Sequence, residues 1–308
     1  MGTEIGEEAF FGNYDLQSVF IPKSVTYVGF GAFANCRSLH SAKFEGNCEI
    51  EASTFYYCKN LEEIILPETL EEIRAYTFAG CEKLQTIFIP NMVTYIGNSA
   101  FYKCMLLNNI IIPESVTELG GNVFSGCTNL SDIVISDNVI EIGYNIFTEC
   151  EKLPLILLSK GEKVLFKYSP SNTETSYTIP ETVTYIAREA FYDCSNLTDI
   201  NIPNTVISIG AYAFCNCKNL NYIPIPMSVN EIGYGAFEGC GNPPRYSLSR
   251  AIITFPEDVT SISDGAFYNY YSLKRINIPG SVVSIGNEAF YGCSNLKNVR
   301  VLTSISEE

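Results

Sequence analysis

The chain has 308 residues, 46% of them hydrophobic, so it can bury a sizeable core, and length alone permits one to three domains. Thirty-four acidic residues against nineteen basic ones give a formal net charge of −15, with no Lys/Arg cluster inside that balance, which counts against nucleic acid and anionic membranes as partners. No apolar stretch approaches the ~18 residues of a membrane span, and Met1-Gly2-Thr3-Glu4 lacks the basic start and apolar block of a signal peptide. The expectation is a chain that carries no leader and does not insert into a membrane.

From the N-terminus onward, phenylalanine recurs at Phe10, Phe33, Phe55, Phe78, Phe101, Phe124, Phe147, Phe191, Phe214, Phe237, Phe267 and Phe290, mostly in steps of 22 or 23 residues. A Cys usually follows three residues later and a Leu three after that. Ile-x-Ile-Pro, then x-x-Val-x-x-Ile-Gly, complete the period before the next Ala-Phe. The copy at Phe191 is complete, with Cys194, Leu197, Ile200, Ile202, Pro203, Val206, Ile209 and Gly210. A unit this short cannot bury its own apolar side, so neighbouring copies must stack into one continuous core.

The Ile-x-Ile triplet alternates as a strand does, and the following Pro ends it by removing a ladder donor. One short parallel strand per repeat is expected, thirteen in all, with inward residues at Ile21, Phe44, Leu66, Ile89, Ile112, Ile135, Leu158, Ile179, Ile202, Ile225, Phe255, Ile278 and Val301. Spacings of three and four through Val-x-x-Ile-Gly-x-x-Ala-Phe-x-x-Cys-x-x-Leu predict a short helical or 3₁₀ arc on the convex side. Gly follows the Ile at Gly29, Gly97, Gly143, Gly210, Gly233 and Gly286, yet Glu51, Arg74, Ala187 and Ser263 share that slot, so a positive φ is not compulsory there.

Two copies depart from the period. At 154–177 an irregular repeat runs through Leu157-Leu158-Ser159 and Val164-Leu165-Phe166, with room for an extra hairpin, before Tyr177 and Ile179 restore the strand. At 241–252, Gly241-Asn242-Pro243-Pro244 opens a loop insertion. The strand pattern resumes in register after both, so residues 1–308 are expected to form a single domain.

The combination Leu-x-x-Ile-x-Ile-Pro-x-x-Val-x-x-Ile-Gly-x-x-Ala-Phe-x-x-Cys resembles the leucine-rich repeat of the BspA-like family. The resemblance covers essentially the whole chain, with eleven of thirteen repeats matching well. It implies an α/β repeat fold, a curved leucine-rich-repeat solenoid of about 13 repeats with a parallel concave β-sheet and short helical or 3₁₀ convex arcs. It also implies display on the surfaces of mucosal bacteria or parasitic protists and adhesion to host or partner proteins. No catalytic residues accompany the resemblance. The chain departs from the family in having no secretion signal and no capping segment before the first repeat.

Ten of the twelve cysteines, from Cys36 to Cys293, take the same slot of successive repeats and read as a buried column of small apolar side chains. Stacked neighbours lie within bridging distance, but their Cβ vectors run side by side, and Asn13 and Tyr270 fill the slot elsewhere, which argues against obligatory disulfides or a metal. Cys48 occupies the position of Val25 and Val93 and reads as core. Cys215 is the one candidate exposed thiol. His40 is the only histidine, so a nucleophile–histidine arrangement has a single possible base, and no paired Cys or His ligands suit zinc. Neither catalytic residues, nor a metal, nor a cofactor is expected: the chain is not an enzyme. Ser24, Thr69, Ser115, Thr182, Thr205, Ser228 and Ser281 recur after the strand as a hydroxyl ladder that could satisfy backbone groups of the turn.

In a solenoid strand the middle residue faces outward while its neighbours face the core. That column runs Phe20, Lys43, Ile65, Phe88, Ile111, Val134, Leu157, Thr178, Asn201, Pro224, Thr254, Asn277 and Arg300. Its first half is largely apolar and its second half polar. Strand propensity alone explains apolar strand residues, but it does not explain the change of character. Partner binding through the concave face is therefore assigned to Phe20, Ile65, Phe88, Ile111, Val134 and Leu157. Glu63, Asp132 and Asp199 before the column, with Glu68, Glu114, Asp137, Glu181 and Glu257 after the Pro, form acidic rims that either steer a basic partner or simply solvate the face.

These features favour a non-catalytic solenoid that binds a protein partner, as a surface adhesin or recognition module. The alternative is an intracellular scaffold or cytoskeleton-associated protein, with homo-oligomerisation through open sheet edges near Ile21 and Val301 as a further possibility. Surface or extracellular placement follows from the resemblance, whereas the missing leader suits the cytoplasm.

Overall fold

The computed structural model describes residues 3–241, 251–255, 257 and 259–302, and only the backbone of Ala251, Ile252 and Thr254. The loop expected at 241–252 lies almost wholly outside the described residues. Internal contacts divide the chain into two compact units, Met1–Pro154 and Leu155–Glu308. Each is a stack of parallel β turns, about twelve in total.

In the first unit most Ile-x-Ile segments form the expected strand face, whereas Ile87–Ile89 carries no strand. Ser18–Ile21, Ser41–Phe44 and Glu63–Ile65 pair in parallel register, and Asn109–Ile111 pairs with Asp132–Val134. A second ladder, not anticipated from the sequence, comes from the Val-x-x-Ile segments. It joins Thr3–Ile5, Val25–Val28 and Glu49–Ile50, then Glu72–Ile73, Tyr95–Ile96, Glu118–Leu119 and Glu141–Ile142. Most regular turns of this unit thus contribute two short parallel segments.

The helical or 3₁₀ arcs are a correction: no helix occurs among the described residues. Two residues per turn, one on either side of the phenylalanine, have positive φ, as at Gly31 and Asn35 around Phe33 or Asn122 and Gly126 around Phe124. A left-handed residue every fourth position prevents a helix from propagating. The three-and-four spacing instead arises from alternating bonds. Ala34 and Cys36 N–H donate three residues back, to Gly31 and Phe33, while Gly31, Phe33 and Asn35 N–H donate to Ala52, Thr54 and Tyr56 of the next turn at 3.1, 3.0 and 2.7 Å. Half the arc's donors therefore bind turns together, where a helix would keep them internal.

In the first unit the phenylalanines form one column. From Phe10 to Phe147 successive rings stack at centroid separations of 5.2 to 6.0 Å and within 16° of parallel. Beside them each column cysteine donates its S–H to the carbonyl of the preceding turn's ring residue, as Cys104 Sγ to Phe78 O at 3.2 Å and Cys127 Sγ to Phe101 O at 3.1 Å. A thiol suits this slot because it packs as an apolar group and still supplies the donor that a buried carbonyl needs. The hydroxyl ladder works similarly at Ser115, Ser228 and Ser281, which donate to the carbonyls of Val93, Val206 and Val259. Thr182 instead reaches Glu162.

The recurrent Gly after the Ile has no positive φ. What it provides is close approach: a Cβ on Gly97 would lie 2.6 Å from the Ala75 nitrogen of the turn before, and one on Gly143 only 2.2 Å from that of Gly121.

The second unit opens with the hairpin anticipated in the irregular repeat. Ile156–Leu158 runs antiparallel to Val164–Tyr168, which then joins Tyr185–Ile186, Ser208–Ile209 and Glu231–Ile232 in parallel. Leu158 is therefore not a member of the parallel strand face: the seventh of the thirteen expected stacked strands is corrected to half of a hairpin, and the segment at Ile225 carries no strand. Tyr168 occupies the ring position, 5.2 Å from Phe191, and this unit's own column runs on through Phe214, Phe237 and Phe267 to Phe290. The strand face here is Ser176–Thr178 with Asp199–Asn201, and Ala251–Thr254 with Leu273–Ile278 and Asn298–Val301.

Candidate binding face

The alternation that buries Ile64 and Leu66 turns Ile65 outward, and the same geometry repeats at Phe88 between Ile87 and Ile89 and at Ile111 between Ile110 and Ile112. Exposure is 45% at Ile65, 71% at Phe88 and 67% at Ile111, high for apolar side chains on three successive turns. Val134 stands in register with Ile111 and is half-buried. Phe20 is also exposed, at 57%, but Lys43 stands between it and Ile65 in register. The described stripe is therefore Ile65, Phe88, Ile111 and Val134, at about 4.8 Å per turn, with Phe20 as an outlier.

Leu157 does not extend it. In the second unit this residue is only 5% exposed, because its strand belongs to the hairpin and lies opposite Lys167. That unit's outward column is otherwise mainly polar where described, with Thr178, Asn201 and Arg300 exposed and Pro224 and Asn277 half-buried. Of the rim carboxylates flanking the stripe, Glu63, Asp132, Glu68 and Glu114 are exposed, and Asp137 is half-buried.

All twelve cysteines are free and buried. Burial pushes the thiols of Cys58, Cys81, Cys104 and Cys127 well above the ordinary range, which removes the thiolate a nucleophile or metal ligand would require. Cys48 lies in the core as anticipated, its thiol raised to about 11 by burial and then by Glu49. The exposed thiol expected at Cys215 is corrected: the residue is 4% exposed, and burial, helped by Glu238 and Asp193, pushes it up to about 12. Its slot holds small, buried Ala34, Ala79 and Ser125 in other turns, and a cysteine is small enough to be covered likewise. Among the described residues no cluster of three His, Cys, Asp or Glu side chains is placed to hold a metal. No helix there is long and apolar enough to cross a membrane.

Sequence reasoning missed two grooves in the first unit. One, of about 510 Å³, lies where Glu49–Ile50 and Glu72–Ile73 do not pair with each other, and there Arg74 bridges Glu49 and Glu51. The other, of about 390 Å³, is lined by Gln85, Leu106, Asn108, Asn129, Ser131 and Lys152. Its signal was available, because those residues form two rows at 23-residue steps beside the stripe.

A family model described as the BspA type leucine rich repeat region (6 copies) matches residues 3–120, 48–171, 162–252 and 245–308. Among solved structures, a leucine rich cell surface protein from Faecalibacterium prausnitzii is 33% identical with a TM-score of 0.56, covering 99% of this chain and 84% of its own. A leucine-rich repeat protein from Bacteroides ovatus is 26% identical with a TM-score of 0.51, over 91% of this chain and 73% of its own. The pneumococcal vaccine antigen PcpA, 20% identical with a TM-score of 0.51 over 97% and 92% of the two chains, shares the fold. No curated protein matches.

Proposed function

Since the chain belongs to the BspA-type leucine-rich-repeat family, we propose that it is a non-catalytic recognition module that binds a protein partner through the stripe Ile65, Phe88, Ile111 and Val134. The observation that carries this reading is the contiguity of Ile65, Phe88 and Ile111: three large apolar side chains stand outward on consecutive turns of an otherwise acidic chain. Each stands between two buried chain neighbours, so the surface is preformed and loses little freedom when a partner covers it. Exposed glutamates and aspartates on both sides supply a polar rim of the kind that surrounds an apolar contact centre. A role as a surface adhesin is supported by the F. prausnitzii relative, which is described as a cell surface protein.

The decisive variant is Phe88→Asp with Ile111→Asp. Both side chains point to solvent, so circular dichroism and melting should stay unchanged, while capture of partner proteins by the immobilised chain from host or cell lysate should be lost. Retention of the same captured proteins by the folded variant would overturn the assignment.

A further inference from the structure

We propose that the groove lined by Gln85, Leu106, Asn108, Asn129, Ser131 and Lys152 binds a sugar that carries a carboxylate. Its lining comes from four consecutive turns of the first unit. Gln85, Asn108 and Ser131 form one row and Leu106, Asn129 and Lys152 the other, and inter-turn bonds lock the rows together. Leu106 N–H donates to Glu82 O at 3.1 Å, Asn108 N–H to Gln85 O at 3.1 Å, Asn129 N–H to Met105 O at 3.2 Å and Ser131 N–H to Asn108 O at 3.1 Å. The polar side chains thus recur at about 4.8 Å along a rigid backbone, and the volume falls within the ~300–1,000 Å³ range of small-ligand sites.

The existing hydrogen bonds give the groove a donor-rich character. Asn109 Nδ2 donates to Asn108 Oδ1 at 2.8 Å, and Lys152 Nζ donates to Asn129 Oδ1, so both amide oxygens are engaged and both amide N–H₂ groups are left to donate. Ser131 Oγ donates to the Asn108 carbonyl at 3.3 Å, which leaves its lone pairs to accept. Gln85 offers both functions. Several donors with a few acceptors suit a ligand rich in hydroxyl and carboxylate oxygens.

Charge narrows the class. The chain has thirty-four carboxylates, yet none lines this groove, and Lys152 is the one charged lining residue. Lysines of neighbouring turns are neutralised, Lys59 by Glu82 at 2.7 Å and Lys83 by Glu62 at 3.6 Å. Lys152 by contrast has only a neutral amide partner among the described residues, and its positive charge is uncompensated. One cation beside several hydroxyl-binding groups matches the one carboxylate and several hydroxyls of a uronic acid. An acidic peptide would present more charge than a single lysine answers. Leu106, 41% exposed, adds an apolar patch for the C–H face of the ring.

Saturation-transfer NMR on the full chain tests this with methyl galacturonide, methyl galactoside and acetate. Saturable transfer to the galacturonide is expected, at least tenfold weaker for the neutral galactoside and for acetate, and reduced about tenfold by Lys152→Met or Asn108→Ala with melting unchanged. Phe88→Asp with Ile111→Asp should leave it intact, which separates this site from the stripe. Equal transfer to the galactoside or to acetate, no transfer to the galacturonide up to about 10 mM, or insensitivity to both groove variants would overturn the proposal.

Discussion

Raising the pH above 9 should unfold the first unit through its buried thiols. In the unfolded chain a cysteine titrates near 9.0, whereas in the folded unit Cys48 is held at about 11 and Cys58, Cys81, Cys104 and Cys127 higher still, desolvation being the leading cause for each. Between those values the folded state keeps protons that the unfolded state releases, so the contribution is fully present below pH 9 and is lost as the pH climbs. At pH 10 each thiol costs about 1.4 kcal/mol relative to neutral pH. Five together amount to roughly 7 kcal/mol, comparable with the ~5–15 kcal/mol that holds a domain folded. Urea unfolding in reductant, followed by circular dichroism, should show the midpoint falling by about 3 M between pH 8 and pH 10, for a slope of ~2 kcal/mol per molar. Replacing Cys81 and Cys104 with Ala should remove about two fifths of that fall while lowering stability at pH 7. A midpoint unchanged between pH 8 and pH 10, or a full-sized fall in the double variant, would refute the reasoning.

Two stability predictions concern the stack itself. Phe124→Ala removes a fully buried ring stacked on Phe101 at 5.7 Å and Phe147 at 6.0 Å and should cost about 3–5 kcal/mol. Phe10→Ala, at a ring 41% exposed and stacked on one side only, should cost less than about half as much, and equal losses in urea titrations would contradict the column. Gly143→Ala places a methyl 2.2 Å from the Gly121 nitrogen and should destabilise by about 1–3 kcal/mol, read as a lowered urea midpoint.

The repeat period, the ring column, the buried cysteines and the outward strand residues of the first unit were legible because each rests on burial alone, and burial leaves a periodic trace in residue type. Backbone conformation leaves a weaker one. The arc was read as helical because a helix and a chain of linked turns both place apolar residues three and four apart. The distinguishing signal lay at the positions flanking the phenylalanine, where Gly31, Asn35, Gly80, Asn122, Gly126, Asp193 and Asn216 reveal the left-handed residues. The glycine of the Gly29 slot is no guide to them, since it answers to crowding between turns. Leu157 was misplaced for a related reason: Leu157-Leu158 fits a stacked strand or one arm of a hairpin equally well, and only the pairing with Val164–Tyr168 decides which.

The bonding of the arc also explains why recognition can reside in outward side chains. Phe33 N–H and Cys58 Sγ both bond across a turn boundary, to Thr54 O and Phe33 O, so the ladder is built from backbone groups and one thiol per turn. Those partners do not change when an outward residue changes. Phe88, Asn201 and Arg300 can therefore occupy equivalent repeat positions without altering the ring column beneath them, and an apolar stripe on one unit is compatible with a polar column on the other. Inward positions have no such freedom, because a ring or thiol replaced there loses partners in two turns at once. Substitutions that change binding should accordingly be tolerated at Ile65, Phe88 and Ile111, whereas those at Ile64, Ile87 and Ile110 should reduce stability before they reach any partner.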